Sequence, residues 1–447
     1  MMKNLLALAI CTILLQAAAQ SQTEKWDLRK LIDYAAKNNI SVKQADVQAR
    51  LTALQLKQAQ LYQLPTASFS TSFGPQFGRS INPTTNLYTN NELFSQSYGL
   101  SGNAQVYNWG RLKNNIAANE FSAQAALVDI ERAANDVSLN VATYYLQVLA
   151  SKEQININEV QIAQRKAQID VTAKQVAAGT VPELNLISLE AQLATDSSNL
   201  ISSKTTFDQN VLTLKALLNL DAALPFDVET PSVDKIPIES FADLQPEVVY
   251  QLALGNQPLQ KENELKIKAA EKNVLVSKAS MYPSIFGNYS LNSTYNNKAT
   301  DLTGSKIPYF DQVNENFRQS LGLGIQVPIF SNGTNRINYE QSKLNLKNNL
   351  LNKEQANQTL KQNIYTAYTN AVNALEKFNA AKKNVASAQK VYDFSFRRYE
   401  VGLLGTLDLI TNQNNLQTAK LQMVASQFDF VFKMKLLEFY KGQGLKL

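Results

Sequence analysis

Two stretches of the chain, residues 111–178 and 334–401, contain neither glycine nor proline, and each is bracketed by glycines: Gly110 and Gly179, then Gly333 and Gly402. Each stretch is 68 residues long. An unbroken helix of that length rises about 100 Å, wider than an ordinary globular core, so helices of this kind must run along something long. The apolar pattern says how they pack. In the first stretch Leu127, Ala134, Val141, Val148, Ile155, Ile162, Ile169 and Val176 recur every seven residues. An offset of 223 carries these positions onto Leu350, Asn357, Ile364, Ala371, Phe378, Val385, Tyr392 and Tyr399. A sustained seven-residue repeat winds a helix around its neighbours in a left-handed supercoil. The chain therefore holds one long coiled element twice.

Composition narrows what such an element can serve. There is no histidine and one cysteine, Cys11. That removes histidine acid/base chemistry, Ser-His and Cys-His nucleophiles, and His/Cys metal sites, so neither a metal nor a cofactor is expected. A net charge of +6 without a basic block gives nucleic-acid binding no electrostatic support. Residues 1–19 read as a secretion signal: Lys3, an apolar run over 5–15, and a small-residue cleavage site at Ala17-Ala18-Ala19, with Cys11 leaving in the removed piece. No later run of about 20 apolar residues exists to form a spanning helix, so a membrane crossing has to use strands.

Between the signal and the first long helix the period changes. Helices are expected over 26–37 and 42–63, the second stopped by Pro65. From Thr66 apolar and polar residues alternate, predicting strands at about 66–74 and 96–108 around a polar, Gly/Pro-punctuated loop. After the first long helix, Gly179-Thr180-Val181-Pro182 makes a tight turn and a helix returns over 183–218. A Pro-rich connector, 221–246, separates this repeat (20–220) from a second (247–447). The second has helices at 247–254 and 260–281, strands at about 284–292 and 319–329, the long helix, and a return helix at 406–441. Strands of about ten residues, apolar on one face and rich in Ser, Asn, Gln and Gly on the other, fit a transmembrane barrel as well as a soluble sheet with one wet face; the export signal favours the barrel. Four strands cannot close one, so closure requires several chains.

The order helix, strand, strand, long helix, turn, returning helix, given twice after a signal, resembles the outer membrane efflux protein family (TolC-like). The likeness covers about Trp26 to Gly444 and is most specific at the turns, Ala178 to Pro182 and Tyr399 to Leu403. It implies a mainly α, α+β chain that trimerises, sharing a twelve-stranded barrel in the outer membrane and an α-helical barrel in the periplasm. It implies a passive exit duct for efflux or type I secretion, with a periplasmic adaptor and an inner-membrane pump as partners, outer-membrane lipid around the barrel, and no enzymatic activity. Carried over by position, the family's inner-end gate falls on Tyr399, Asp408 and Asn185. A second Asp of the family is Thr411 here and a basic residue is Leu404, so closure is less charged. The adaptor-docking tips fall on Ala178, Gly179, Thr180, Val181, Val401, Gly402, Leu403 and Leu404. Plainer readings stand beside these: Asp408 as a first-turn carboxylate favoured by the helix dipole, the tips as efficient helix stops, and the whole as a trimeric coiled-coil adhesin or scaffold without a pore.

Overall fold

The computed structural model describes residues 25–81, 86–231 and 236–444; the expected signal and Cys11 lie outside the described residues. The first element, β1 (Lys25–Trp26), pairs in parallel with a short strand in the connector, β4 (Asp227–Val228). Asp27 starts α1 (Leu28–Asn38) by accepting the Lys30 N–H at 2.7 Å. Asn39 then breaks the chain between α1 and α2 (Ile40–Leu61). Its Oδ1 accepts the Ser41 N–H at 2.8 Å and its Nδ2 reaches the Leu217 carbonyl at 2.7 Å. Both long helices form: α3 (Arg111–Ala177) and α8 (Thr334–Glu400), each 67 residues. Each is followed by its return helix, α4 (Glu183–Leu217) and α9 (Thr406–Lys441). Short helices α5 (Pro246–Asn256) and α6 (Pro258–Ala279) open the second repeat.

Glycine chemistry explains why the long helices start and stop where they do. Gly110 and Gly333 have φ +72° and +76°, and Gly179 and Gly402 have +70° and +74°. All four are left-handed conformations that a β-carbon disfavours. The residue before each leading glycine, Trp109 or Asn332, is also left-handed, at φ +53° and +51°. The 223-residue offset thus holds down to single backbone angles.

Compactness divides the chain differently from the sequence repeat. Among the described residues, one unit falls within 25–47, 128–261 and 355–444, the other within 48–127 and 262–354, so each repeat contributes to both. The first unit is helical, with two related cores. In one, Val137, Val141, Val148 and Leu214 pack with Leu28 and Leu31; in the other, Leu360, Ile364, Ala371 and Leu437 pack with Val249 and Ala253. The amphipathic short helix of each repeat buries its apolar face on the middle of its own long helix.

The second unit carries the sheet, antiparallel in the order β2-β3-β5-β6: β2 (Ser68–Ile81), β3 (Tyr88–Tyr107), β5 (Ser284–Asn296) and β6 (Arg318–Gln326). The first hairpin is longer than the expected 66–74 and 96–108. The Gly/Pro-marked stretch read as loop continues as strand to Ile81, with Pro75 paired opposite Phe94. Proline is tolerated because β2 is an edge strand, where a missing N–H on the outer side costs no ladder bond. Conversely, β6 ends at Gln326 rather than 329, just before Pro328. A seven-residue helix, α7 (Tyr309–Glu315), stands between β5 and β6 and packs on β5. Gln312, 3 % exposed, staples this loop by donating to the Asn296 and Ile307 carbonyls at 3.0 and 2.8 Å and accepting the Asn296 N–H at 2.9 Å.

Directly opposed residues share a face, so register assigns the two sides of the sheet. One carries Phe69, Leu100, Leu291, Tyr289, Leu321, Leu323 and Ile325. On the other, Ser68, Ser101, Ser290 and Ser320 align in one rung. Away from α7, which packs on it at Ser293 and Tyr295, the apolar side is uncovered: Phe69 is 67 % exposed and Leu321 88 %. Tyr107, Trp109 and Tyr282 cluster at its helix-proximal end, with ring centroids 5.5 and 5.3 Å apart. Tyr98, Tyr295 and Tyr309 cluster nine residues further along β3, where the Tyr98 and Tyr309 hydroxyls bond. Nine residues of tilted strand span about 25 Å, the height of the apolar band that aromatic girdles bracket in outer-membrane barrels.

Candidate functional site

The two helix-turn tips are built alike. After α3, the Thr180 N–H donates to the Gln175 carbonyl at 3.0 Å and the Gly179 N–H to Val176 at 2.9 Å. After α8, the Leu403 N–H donates to Arg398 at 2.8 Å and the Gly402 N–H to Tyr399 at 3.0 Å. This is the glycine stop that satisfies the last carbonyls of a helix. The residues so placed are open to solvent: Ala178, Gly179, Thr180, Val401, Gly402 and Leu403 are exposed, while Val181 and Leu404 are half-buried. Leu184 and Leu407, each the second residue of its return helix, are 69 % and 73 % exposed, so both tips present apolar surface.

The expected gate residues are not brought together within the chain. The Tyr399 hydroxyl pairs with Thr172 Oγ1 at 3.0 Å, on α3, rather than with Asn185. Asn185 is half-buried in the first turn of α4, its N–H donating to the Pro182 carbonyl at 3.1 Å. Asp408 is exposed in the first turn of α9 and, among the described residues, has no ion pair. Thr411 uses its hydroxyl on the Leu407 carbonyl at 2.9 Å. The Tyr392, Phe396 and Tyr399 rings, with Val171, line an open cavity of about 410 Å³ between α3 and α8. Burial raises the Tyr392 hydroxyl above its ordinary pKa, opposed by its hydrogen bond with Gln168.

What holds the four helices together above the tips is a seam that an apolar search overlooks. In α3 the buried positions toward the tip are Asn158, Gln161, Arg165, Gln168 and Thr172, at alternating spacings of three and four. The seven-residue apolar line chosen from the sequence is buried at Val141, Val148 and Ile155, but Ile162, Ile169 and Val176 are only half-buried and Leu127 is exposed. Arg165 is the hub. Its Nε meets Asp196 Oδ2 on α4 at 3.1 Å, its Nη1 donates to Gln168 Oε1 at 3.2 Å, and its Nη2 donates to Asn414 Oδ1 on α9 at 3.3 Å. Gln192 closes the ring, donating to Asp196 Oδ1 at 2.9 Å and accepting from Asn414 at 3.3 Å. One layer up, Asn158 donates to Ser203 and accepts from Gln417, at 2.8 and 2.7 Å. Gln413 leaves both amide atoms, and Gln161 its Nε2, buried without a partner. The regular spacing of polar residues was the available signal; a search for hydrophobic residues passes over it.

With this geometry in view, comparison with known proteins is direct. A family model described as outer membrane efflux protein matches residues 31–220 and 249–429, one block per repeat. The pyoverdine export outer membrane protein OpmQ of Pseudomonas aeruginosa is 24 % identical over 340 residues, spanning 74 % of this chain and 66 % of that protein. The outer membrane efflux protein BepC of Brucella suis is 22 % identical over 435 residues, 96 % of this chain and 88 % of that one. The crystal structure of the Campylobacter jejuni CmeC outer membrane channel superposes with a TM-score of 0.76 at 20 % identity, covering 94 % of this chain and 86 % of its own. Two matched blocks that coincide with the two structural repeats leave one assignment: the chain belongs to the outer membrane efflux protein family.

Proposed function

We propose that three copies of this chain close their sheets into one twelve-stranded barrel in the outer membrane. Their helices continue as a tunnel through the periplasm, and cargo passes outward without catalysis. The observation that carries this reading is the open sheet. Neither β2 nor β6 has a partner strand on its outer edge among the described residues. An open edge beside an uncovered apolar face is an aggregation hazard, and closure with further copies removes it. The apolar face then meets lipid and the serine-rich face lines the pore.

The helix tips are the periplasmic end. In this reading Ala178, Gly179, Thr180, Val181, Val401, Gly402, Leu403 and Leu404 dock the helical hairpins of a periplasmic adaptor coupled to an inner-membrane pump. Tyr399, Asp408 and Asn185 stand at the narrowest point. Three Asp408 carboxylates around an axis attract cations. Planar-bilayer recording of the purified protein tests the duct. Discrete single-channel openings are expected, blocked by a trivalent cation from the tip side, with weaker block in Asp408→Ala. A protein that assembles yet never opens supports the pore-less scaffold instead, and unchanged block in the variant removes Asp408 from the gate.

A further inference from the structure

The polar wall of the sheet is made almost wholly of uncharged groups. The Ser68, Ser101, Ser290 and Ser320 rung is bound laterally, with hydroxyls 3.5 Å apart between Ser68 and Ser101 and 2.8 Å apart between Ser290 and Ser320. Toward the helices the next rung is Asn103, Asn288 and Gly322; two rungs away from them lie Ser72, Ser97 and Thr294. Between the serine rung and that outer one sits Ser70, Gly99, Asn292 and Arg318. Among the described strand positions on this face, Arg318 is the only charged side chain, and no carboxylate shares the face.

Arg318 is exposed and, among the described residues, its side chain takes part in no ion pair or hydrogen bond. The nearest carboxylates in sequence, Asp311 and Glu315, belong to α7, which packs on the opposite, apolar face. There the Tyr309 ring lies 4.7 Å from Tyr295, and Ser293 donates to the Val313 carbonyl at 2.6 Å. Arg318 is also the first residue of β6, an edge strand, so it stands at the outer end of that strand, one rung beyond the serines, and beside the seam where another copy would join.

We infer that Arg318 sets the charge preference of the duct's outer half: three guanidinium groups in an otherwise neutral lining favour anionic solutes over cationic ones. The inference rests on the barrel reading above. A guanidinium brings a positive charge, and no carboxylate shares its face among the described strand positions. One unit charge at about 10 Å through water changes the local concentration of a monovalent ion by about twofold. Three copies compound this, and salt shortens their reach, since the screening length is about 10 Å at 0.1 M. The preference is therefore strongest at low ionic strength. It is distinct from the tip, where Asp408 carries the opposite charge.

The test is the reversal potential of the reconstituted protein under a potassium chloride gradient, for the unmodified chain, Arg318→Gln, Arg318→Lys and Arg318→Glu. At low salt the anion-to-cation permeability ratio is expected to fall at least about twofold in Arg318→Gln. It should fall further in Arg318→Glu, stay near the unmodified value in Arg318→Lys, and converge for all four in concentrated salt. Equal ratios in the unmodified, Gln and Glu proteins at low salt, with openings intact, overturn the inference alone. An unmodified protein that never opens overturns the barrel reading and this inference with it.

Discussion

Removing the Asp196 carboxylate should loosen the tip region of the bundle far more than an ordinary polar substitution. Arg165 is fully buried and Asp196 is 2 % exposed, so Asp196→Ala leaves a guanidinium in the bundle core without its counter-charge. Breaking a buried pair from one side costs about 3–5 kcal/mol. The lower end applies here, because Arg165 keeps its bonds to Gln168 and Asn414, at 3.2 and 3.3 Å. Gln192 also loses its acceptor at 2.9 Å, which adds roughly 1 kcal/mol. A total near 4 kcal/mol raises the local opening equilibrium by several hundredfold, since each 1.4 kcal/mol is about tenfold. Amide hydrogen exchange over 158–172 and 189–200 reads this directly, with 137–148 in the apolar core as internal reference. Replacing both partners by apolar residues, Arg165→Met with Asp196→Leu, should restore most of the protection, because two apolar side chains need no desolvated charge to be satisfied. Protection in Asp196→Ala within threefold of the unmodified protein would refute the reasoning. So would a double variant no better than the single one.

Two further perturbations separate local causes. Gly402 and Gly255 both have open space around a built β-carbon, but only Gly402 is left-handed, at φ +74°. Gly402→Ala should therefore destabilise by about 1–2 kcal/mol through the backbone alone, while Gly255→Ala, in helix α5, should stabilise by roughly 0.5–1 kcal/mol; equal effects in chemical denaturation contradict the turn argument. Gly402→Arg should abolish cargo export while the trimer still assembles, and normal export removes the tips from docking. The Glu239 carboxylate is held below its ordinary 4.5, chiefly by its hydrogen bond from Lys441 at 2.9 Å. Its stabilisation is thus fully present above pH 4.5 and lost as pH falls through the lower folded value. Glu239→Gln should melt earlier than the unmodified protein at neutral pH, and the gap should narrow as pH falls below 4.5 through the lower folded value; a gap that stays constant on acidification shows the ion pair is not its source.

The division between what was legible and what was not follows the range of the interactions. Glycine and proline act on their own residue, so Gly110, Gly179, Gly333 and Gly402 mark the ends of both long helices to within one residue, and all four adopt left-handed backbone. Period-two alternation likewise located all four strands and both faces of the sheet. It lost the outer part of the first hairpin, because Gly74, Pro75 and Gly78 are turn signals in isolation, and Pro75 is tolerated because β2 is an edge strand of this chain's sheet. Edge status comes from pairing with distant residues.

The chain by itself therefore determined the repeat, the length and limits of its helices, and the two-sided sheet, since each depends on backbone preference or a local period. Packing between helices far apart in sequence decided the seam. Which of Ile162 or Arg165 turns inward depends on what α4, α8 and α9 present to α3. Asp196 and Asn414, 31 and 249 residues away from Arg165, make the charged residue the buried one. The same long-range packing places the Tyr399 hydroxyl on Thr172. A burial pattern read from hydrophobicity assigns charge to solvent; only the folded bundle supplies the partners that let a charge stay inside.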